Sequence, residues 1–360
     1  MTTKKQLIEL LAASTPDAIE NLRRRAYQVM KDHVGELVYY RGIIELSNIC
    51  SLNCHYCGIR RSNTAAHRYM LDDEQVIEAA IWCAQQGYGS IVIQSGERRD
   101  NEFTTRITRL VHAIKRQSVS QKLPHGLGIT LSLGEQSPAT YQQWFDAGAH
   151  RYLLRIESTN QQLFAALHPP GQQLEQRLQA LRDLRTAGYQ VGTGVMIGLP
   201  GQTLEMLADD ILFFRDTGID MVGMGPFIPH AQTPMSTEAL GDTLRPESER
   251  LQLALNMIAA TRIACPDINI ASTTALQAMV PNGREQGLTY GANVTMPNLT
   301  PVEVRKDYTL YDGKPCIDEA KTECRTCLLR RVQSTGREVG FDQWGDSLHF
   351  ARRQNTPTPE

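Results

Sequence analysis

Short runs rich in β-branched residues alternate along this chain with stretches whose apolar residues recur every three or four positions. The runs are Gly42–Leu46, Ser90–Gln94, Gly128–Leu133, Arg151–Arg155, Gln190–Met196, Met221–Gly225, Asn269–Ser272 and Ala292–Thr295. The clearest helical stretches are Asp73–Gln86, Thr104–Arg116, Pro138–Ala147, Glu175–Ala187, Thr203–Thr217 and Pro246–Ala264. Their spacing is that of helices with one buried face. Strands separated by helices pair in parallel, because parallel pairing needs a crossover connection and a helix supplies one. The economical closure is an α/β fold, a full (β/α)8 TIM barrel. An N-terminal helical segment (1–38) would precede the barrel (39–300). A C-terminal extension (301–352) and a disordered tail (353–360) would follow. Chemistry then belongs at the C-terminal ends of the strands. An open doubly wound sheet is the alternative, but the GxGxxG turn expected after its first strand is absent.

Composition excludes other classes. With 41% hydrophobic and 21% charged residues the chain is too apolar for disorder. Lys and Arg number 37 against 39 Asp and Glu, a net charge of −2, so neither nucleic acid nor an anionic membrane surface is indicated. No stretch approaches the ~18 uncharged residues of a membrane span. The N-terminal MTTKKQLIELLAAS carries Glu9 in its apolar part and reads as an amphipathic helix, not an export signal. The expected compartment is the cytoplasm, whose reducing poise disfavours structural disulfides.

Eight cysteines therefore need another purpose, and six fall into two tight groups. Cys83 and Cys265 stand alone in helical contexts and read as small buried hydrophobes. The first group, Cys50-x3-Cys54-x2-Cys57, lies just past the first strand. Three thiolates can hold a 4Fe–4S cube and leave its fourth iron without a protein ligand. Zinc is the alternative, but a structural zinc site closes with a fourth Cys or His at a different spacing. His55, between two of the cysteines, is poorly placed to turn onto the same ion.

Cys50-x3-Cys54-x-Tyr56-Cys57 after a first barrel strand resembles the radical S-adenosylmethionine (SAM) superfamily. That resemblance implies that SAM chelates the open iron and is cleaved by one electron to methionine and a 5′-deoxyadenosyl radical. It implies Tyr56 near the adenine. It gives Gln94, Ser95, Gly96 and Glu97 the SAM amino group, since a carboxylate and carbonyls suit an ammonium donor. By the same resemblance Glu157 takes the ribose, Arg177 the SAM carboxylate, and Met196 the adenine-side strand with the Gly198–Gly201 turn. Read without it, Arg155 and Glu157 form an internal ion pair and Arg177 lies on a solvated helix face.

Longer stretches narrow the resemblance. RGIIELSNIC, IVIQSGE, TLSLGE, RYLLRIEST, GLPGQT, DMVGMGPFIPH and NVTMPNLTP resemble the HydE family of FeFe-hydrogenase maturases, from about Gly42 to Cys327. The implied substrate is the HydG product, a cysteine-bound Fe(CO)2(CN) complex attacked at sulfur during H-cluster assembly. The implied partners are the scaffold GTPase HydF and reduced ferredoxin or flavodoxin as electron donor, with the chain a monomer. Matching positions place Thr130, Ser132, Arg155, Thr273, Thr274, Met296, Tyr308 and Tyr311 around the substrate cavity. Each has a plainer role in helix capping or packing. Ile156 departs from relatives that carry histidine there, and residues 117–126 look like a surface insertion away from the chemistry.

The second group, Cys316-x7-Cys324-x2-Cys327, suggests an optional second cluster, 2Fe–2S or 4Fe–4S, with zinc or idle thiols as alternatives. The alternative radical SAM readings are biotin synthase, which shares the first cysteine spacing, and methylornithine synthase, which is similar in fold and in residues like Glu157. A non-catalytic iron–sulfur or zinc protein is the reading from another class.

Overall fold

The computed structural model describes residues 2–318 and 321–355. Eleven strands are seen among them: β1 (Leu37–Ser47), β2 (Ser90–Ser95), β3 (Gly128–Ser132), β4 (Arg151–Leu153), β5 (Gln190–Thr193), β6 (Met196–Ile197), β7 (Met221–Val222), β8 (Gly225–Pro226), β9 (Asn269–Ile270), β10 (Val294–Thr295) and β11 (Glu338–Val339). The main sheet runs β10-β1-β2-β3-β4-β5-β7-β9, and every pair in it is parallel. One parallel bridge, Ala271 to Val294, ties the two ends of that path together. Two backbone bonds reinforce it, Asn293 N–H to Ile270 (2.9 Å) and Ser272 N–H to Val294 (2.8 Å). The sheet is thus a curled (β/α) barrel, a broad ladder from β1 to β3 and only two or three residues deep from β4 to β10.

Some expected runs break early, for local reasons. The run from Gln190 stops at Thr193 and resumes as β6, which pairs with β8 instead of with the main sheet. At the gap, a Cβ on Gly194 would stand 1.9 Å from the Gly223 carbonyl oxygen, so only glycine permits the two chains to meet. Regular strand in the Arg151–Arg155 run ends at Leu153, although Leu154 and Ile156 still bond the Gly192 and Gly194 carbonyls; just beyond, Glu157 turns into the left-handed region (φ 61°). β1 starts at Leu37, five residues before its apolar core, because β10 and β11 flank that end.

The helices match their periodicity closely: Asp73–Gln85, Asn101–Gln117, Pro138–Asp146, Leu174–Thr186, Leu204–Asp216 and Glu247–Ala264. Side-chain caps fix several starts, for example Asp72 with Gln75 in a capping box and Asp100 accepting from the Phe103 N–H. Lys4–Leu11 and Pro16–Val34 form the N-terminal helices. Leu348–Asn355 is helical, so residues 353–355 correct the expected disordered tail; 356–360 lie outside the described residues.

The N-terminal ends of the strands are covered by the chain around residues 337–347. Arg41 and Asn269 donate to the Gly345 carbonyl, Ser90 donates to that of Trp344, and Arg151 pairs with Asp346. The opposite, C-terminal ends carry the cysteine loop. Cys83 and Cys265 are buried, as expected of small apolar side chains. No helix among the described residues is long and apolar enough to cross a membrane.

Candidate active site

Cys50, Cys54 and Cys57 sit on an irregular loop beyond β1, half-buried and free of disulfides. Without regular structure the loop needs outside support, and Arg68 gives it. Its guanidinium donates to four loop carbonyls: Asn48 (2.7 Å), Ile59 (2.8 Å), Arg60 (2.7 Å) and Asn63 (3.0 Å). Asn48 adds donors to His67 and Asp307 and accepts from Tyr69 N–H. The Cys50 sulfur already accepts two backbone N–H groups, from Leu52 and Glu97, each at 3.4 Å. Burial raises the pKa of all three thiols, that of Cys54 to about 12. Each is also raised by charge on a neighbour, Cys54 by Cys50, and Cys57 by both others, so the three share one electrostatic site. Among the described residues no three Cys, His, Asp or Glu side chains are grouped about a single ion.

The end of β2 presses directly on this loop. A Cβ on Gly96 would lie 2.5 Å from the Ile49 carbonyl and 2.7 Å from Cys50 Cβ, which makes glycine necessary there. The Glu97 carbonyl accepts Ser51 N–H (2.8 Å). Its carboxylate takes Glu135 N–H at 2.9 Å and Arg99 at 2.6 Å. Arg99 and Arg177 each also bond the Glu135 carboxylate. Glu97 is buried, and desolvation raises its pKa against the pull of Arg177 and Arg99. Two carboxylates and two guanidiniums therefore meet beside the cysteines.

Glu157 is held by its unusual turn. Its N–H bonds the Gly194 carbonyl and its carboxylate accepts from Arg155 (2.9 Å) and from the Tyr56 hydroxyl (3.4 Å). Met196 N–H bonds the Glu157 carbonyl. Tyr56 packs against a small apolar cluster of Leu163, Leu167, Met196, Leu199 and Phe227. Arg177 is buried, not on a solvated face; its guanidinium also donates to the Arg155 carbonyl. Arg155 Nε, His168 Nε2 and Gln172 Nε2 are buried without a partner. His168 stacks edge-on to Tyr56, and Gln172 Oε1 stands 4.0 Å from the Cys54 sulfur. Unspent polar groups thus surround the Cys54–Tyr56–Glu157 corner.

The expected cavity residues divide. Gln94 and Ser132 stand in register across β2 and β3, level with Glu45 of β1. Tyr308 is buried beside Gln94, and Tyr311 lies beside Thr274. Thr273 donates to the Met224 carbonyl, and Met296 faces the barrel interior with Leu153 and Met221. Thr130 is different. Its hydroxyl accepts Arg151 Nε at 3.0 Å, in the network that binds the 344–346 segment at the opposite barrel end.

In the second cysteine group, Cys316 Sγ lies 3.8 Å from the Gln277 amide, and Arg331 Nε donates to Cys327 Sγ at 3.4 Å. The side chain of Cys324 lies outside the described residues. Sequence reasoning missed Glu45, Arg68, Glu135, His168, Gln172 and Lys314. Only Glu45 carried a signal, a carboxylate inside an otherwise apolar strand.

A model of the radical SAM superfamily matches residues 44–214, the stretch from β1 past the cysteine loop to the fifth crossover helix, Leu204–Asp216. The chain is 43% identical over 344 residues to the [FeFe] hydrogenase maturase subunit HydE of Thermotoga maritima, covering 95% of this chain and 93% of that one. It belongs to the HydE family of radical SAM enzymes. Solved structures share the fold. Methylornithine synthase (PylB) superposes with a TM-score of 0.78 at 23% identity, covering 94% of each chain. The maturase HydG of Carboxydothermus hydrogenoformans does so at 0.77 and 19%, covering 94% of this chain and 76% of that one.

The residues fit the 4Fe–4S cluster and SAM that the family implies. Three free sulfurs on one loop form a soft donor set. Beside it lie carboxylates for an ammonium, unpartnered buried polar atoms and an apolar wall.

Proposed function

We propose that this chain is a maturase of FeFe-hydrogenase that acts on a cysteine-bound Fe(CO)2(CN) complex delivered by HydG. Cys50, Cys54 and Cys57 would hold the cluster, and their spacing leaves one iron for SAM. When bound, the reduced cluster supplies one electron to SAM, whose S–C5′ bond breaks to give methionine and a 5′-deoxyadenosyl radical.

The protein's part is orientation. Glu97 and the Gln94–Gly96 carbonyls accept the SAM ammonium, and Arg177 meets its carboxylate. Glu157, fixed at φ 61° and bonded to Arg155, offers its carboxylate to the ribose hydroxyls. A non-glycine residue in that conformation costs roughly 1 kcal/mol, and strain of this size is retained where geometry matters. Tyr56 and Met196 border the apolar cluster that would take the adenine. Ser132, Arg155, Thr273, Thr274, Met296, Tyr308 and Tyr311 would face the substrate, with Arg155 balancing an anionic complex. Thr130 serves the fold. Cys316, Cys324 and Cys327 would carry an accessory cluster, and HydF with reduced ferredoxin or flavodoxin would complete the system in the cytoplasm.

The observation that carries this reading is the three-thiol loop pressed against Gly96 and Glu97, in a chain 43% identical to HydE over almost its whole length. The test is hydrogenase maturation in a defined mixture lacking only this protein. Adding it restores hydrogen evolution and Cys54→Ala does not; no restoration by the parent protein refutes the maturase reading.

A further inference from the structure

The barrel interior contains an ion pair that the cluster and SAM do not account for. Glu45, on β1, and Lys314, in the extension, meet at 2.6 Å with side chains only 6% and 9% exposed. Burying two charges is unfavourable unless the remaining lone pairs and protons are also satisfied. Here they are. Asn298 and Thr300 approach the other Glu45 oxygen at 3.4 Å each. The Lys314 ammonium donates to the Tyr308 carbonyl at 2.8 Å and sits 5.2 Å from the centre of the Tyr308 ring. A well-packed apolar pair would stabilise the fold as well or better, so a charged pair here points to conformational specificity.

The segment it grips crosses the strand ends. Residues 307–314 bridge two loops, the cysteine loop after β1 and the loop after β8. Leu310 accepts Gly58 N–H beside Cys57, Asp307 accepts from Asn48, and Asp312 bonds Pro229 and Ala231. The contact at Gly58 is tight, since a Cβ there would lie 2.2 Å from the Thr309 carbonyl. The same segment sets Tyr308 beside Gln94 and Tyr311 beside Thr274. Glu45 and Gln94 are register partners, so one rung of β1 and β2 lies next to both Lys314 and Tyr308.

We propose that the Glu45–Lys314 pair is a clasp that seats residues 307–314 over the barrel mouth. Glu45 and Lys314 are then positioning residues for Tyr308 and Tyr311, and they close the chamber in which the radical is used. This rests on the radical SAM reading for the chamber, but the clasp itself is tested independently of it.

The experiment is hydrogen exchange, followed by mass spectrometry, on the full anaerobically reconstituted chain. Lys314→Met and the gentler Glu45→Gln, which keeps the shape facing Asn298 and Thr300, are compared with the parent and with the charge-conserving Lys314→Arg. The expected result is at least 100-fold faster exchange at 307–312 in the first two, with β1–β3 unchanged, and partial recovery in Lys314→Arg. SAM cleavage without maturation substrate stays within threefold of the parent, while hydrogenase activation per 5′-deoxyadenosine formed drops about tenfold. Exchange unchanged within twofold, or accelerated equally throughout the barrel, overturns the clasp. A parent protein that forms no 5′-deoxyadenosine overturns the radical SAM reading and leaves the exchange result to judge the clasp alone.

Discussion

Gly96→Ala tests how closely the end of β2 sets the cysteine loop. The added methyl would stand 2.5 Å from the Ile49 carbonyl oxygen, where ordinary contact begins at 3.4 Å. One side must therefore yield by about 0.9 Å (3.4 − 2.5). The opposing atoms are main chain and Cys50 Cβ, so no rotamer change relieves the clash. Overpacking of this kind costs ~1–3 kcal/mol, which a barrel of this size survives. The functional cost is larger, because a shift near 1 Å in a reacting geometry can lose ~100-fold in rate. The assay is anaerobic formation of 5′-deoxyadenosine from SAM with dithionite, normalised to iron content and paired with thermal unfolding. The expected variant is folded and slowed on the order of 100-fold. A rate within threefold of the parent at equal iron refutes the reasoning.

Other perturbations test other parts of the site. Arg68→Met removes charged donors from four loop carbonyls and is expected to cost about 3 kcal/mol, with faster loss of iron to a chelator; iron retention equal to the parent contradicts this. Glu157→Gln keeps the size but weakens acceptance of hydroxyl donors, so SAM affinity by equilibrium dialysis is expected to fall roughly 10-fold or more, as for loss of one charged hydrogen bond; an unchanged Kd removes Glu157 from the ribose site. Asp210 accepts Thr159 N–H and hydroxyl, just past Glu157, and burial pushes its pKa up to about 7. Its folded form keeps a proton that the unfolded chain releases near pH 4, so its contribution to stability is full at low pH and is lost as pH rises through 7. Asp210→Asn should therefore gain on the parent between pH 5 and pH 8, by about 2–3 kcal/mol, in urea unfolding. An equal difference at both pH values contradicts that assignment.

The parts of the molecule that local chemistry decides were legible in the chain. Periodicity located the six main helices to within a few residues, and Cys50, Cys54 and Cys57 named the candidate site by spacing alone. What long-range packing decides was not. The left-handed turn at Glu157 and the Gly194–Gly223 contact beyond β5 arise from packing that no propensity signals. Arg68 and Glu135 look like ordinary surface charges in sequence, and only the folded chain turns them onto loop carbonyls and Arg177. Thr130 shows the converse. The family resemblance set it at the cavity, but its place in the barrel depends on Arg151 and the 344–346 segment, some two hundred residues away.

The most direct measurement is the electron paramagnetic resonance spectrum of the reduced, reconstituted chain with and without SAM, taken together with its 5′-deoxyadenosine yield. An iron-loaded parent protein should give a 4Fe–4S signal that changes when SAM is added, and should release 5′-deoxyadenosine. Cys54→Ala should do neither. An iron-loaded parent whose spectrum ignores SAM and which leaves SAM intact contradicts the account at its root.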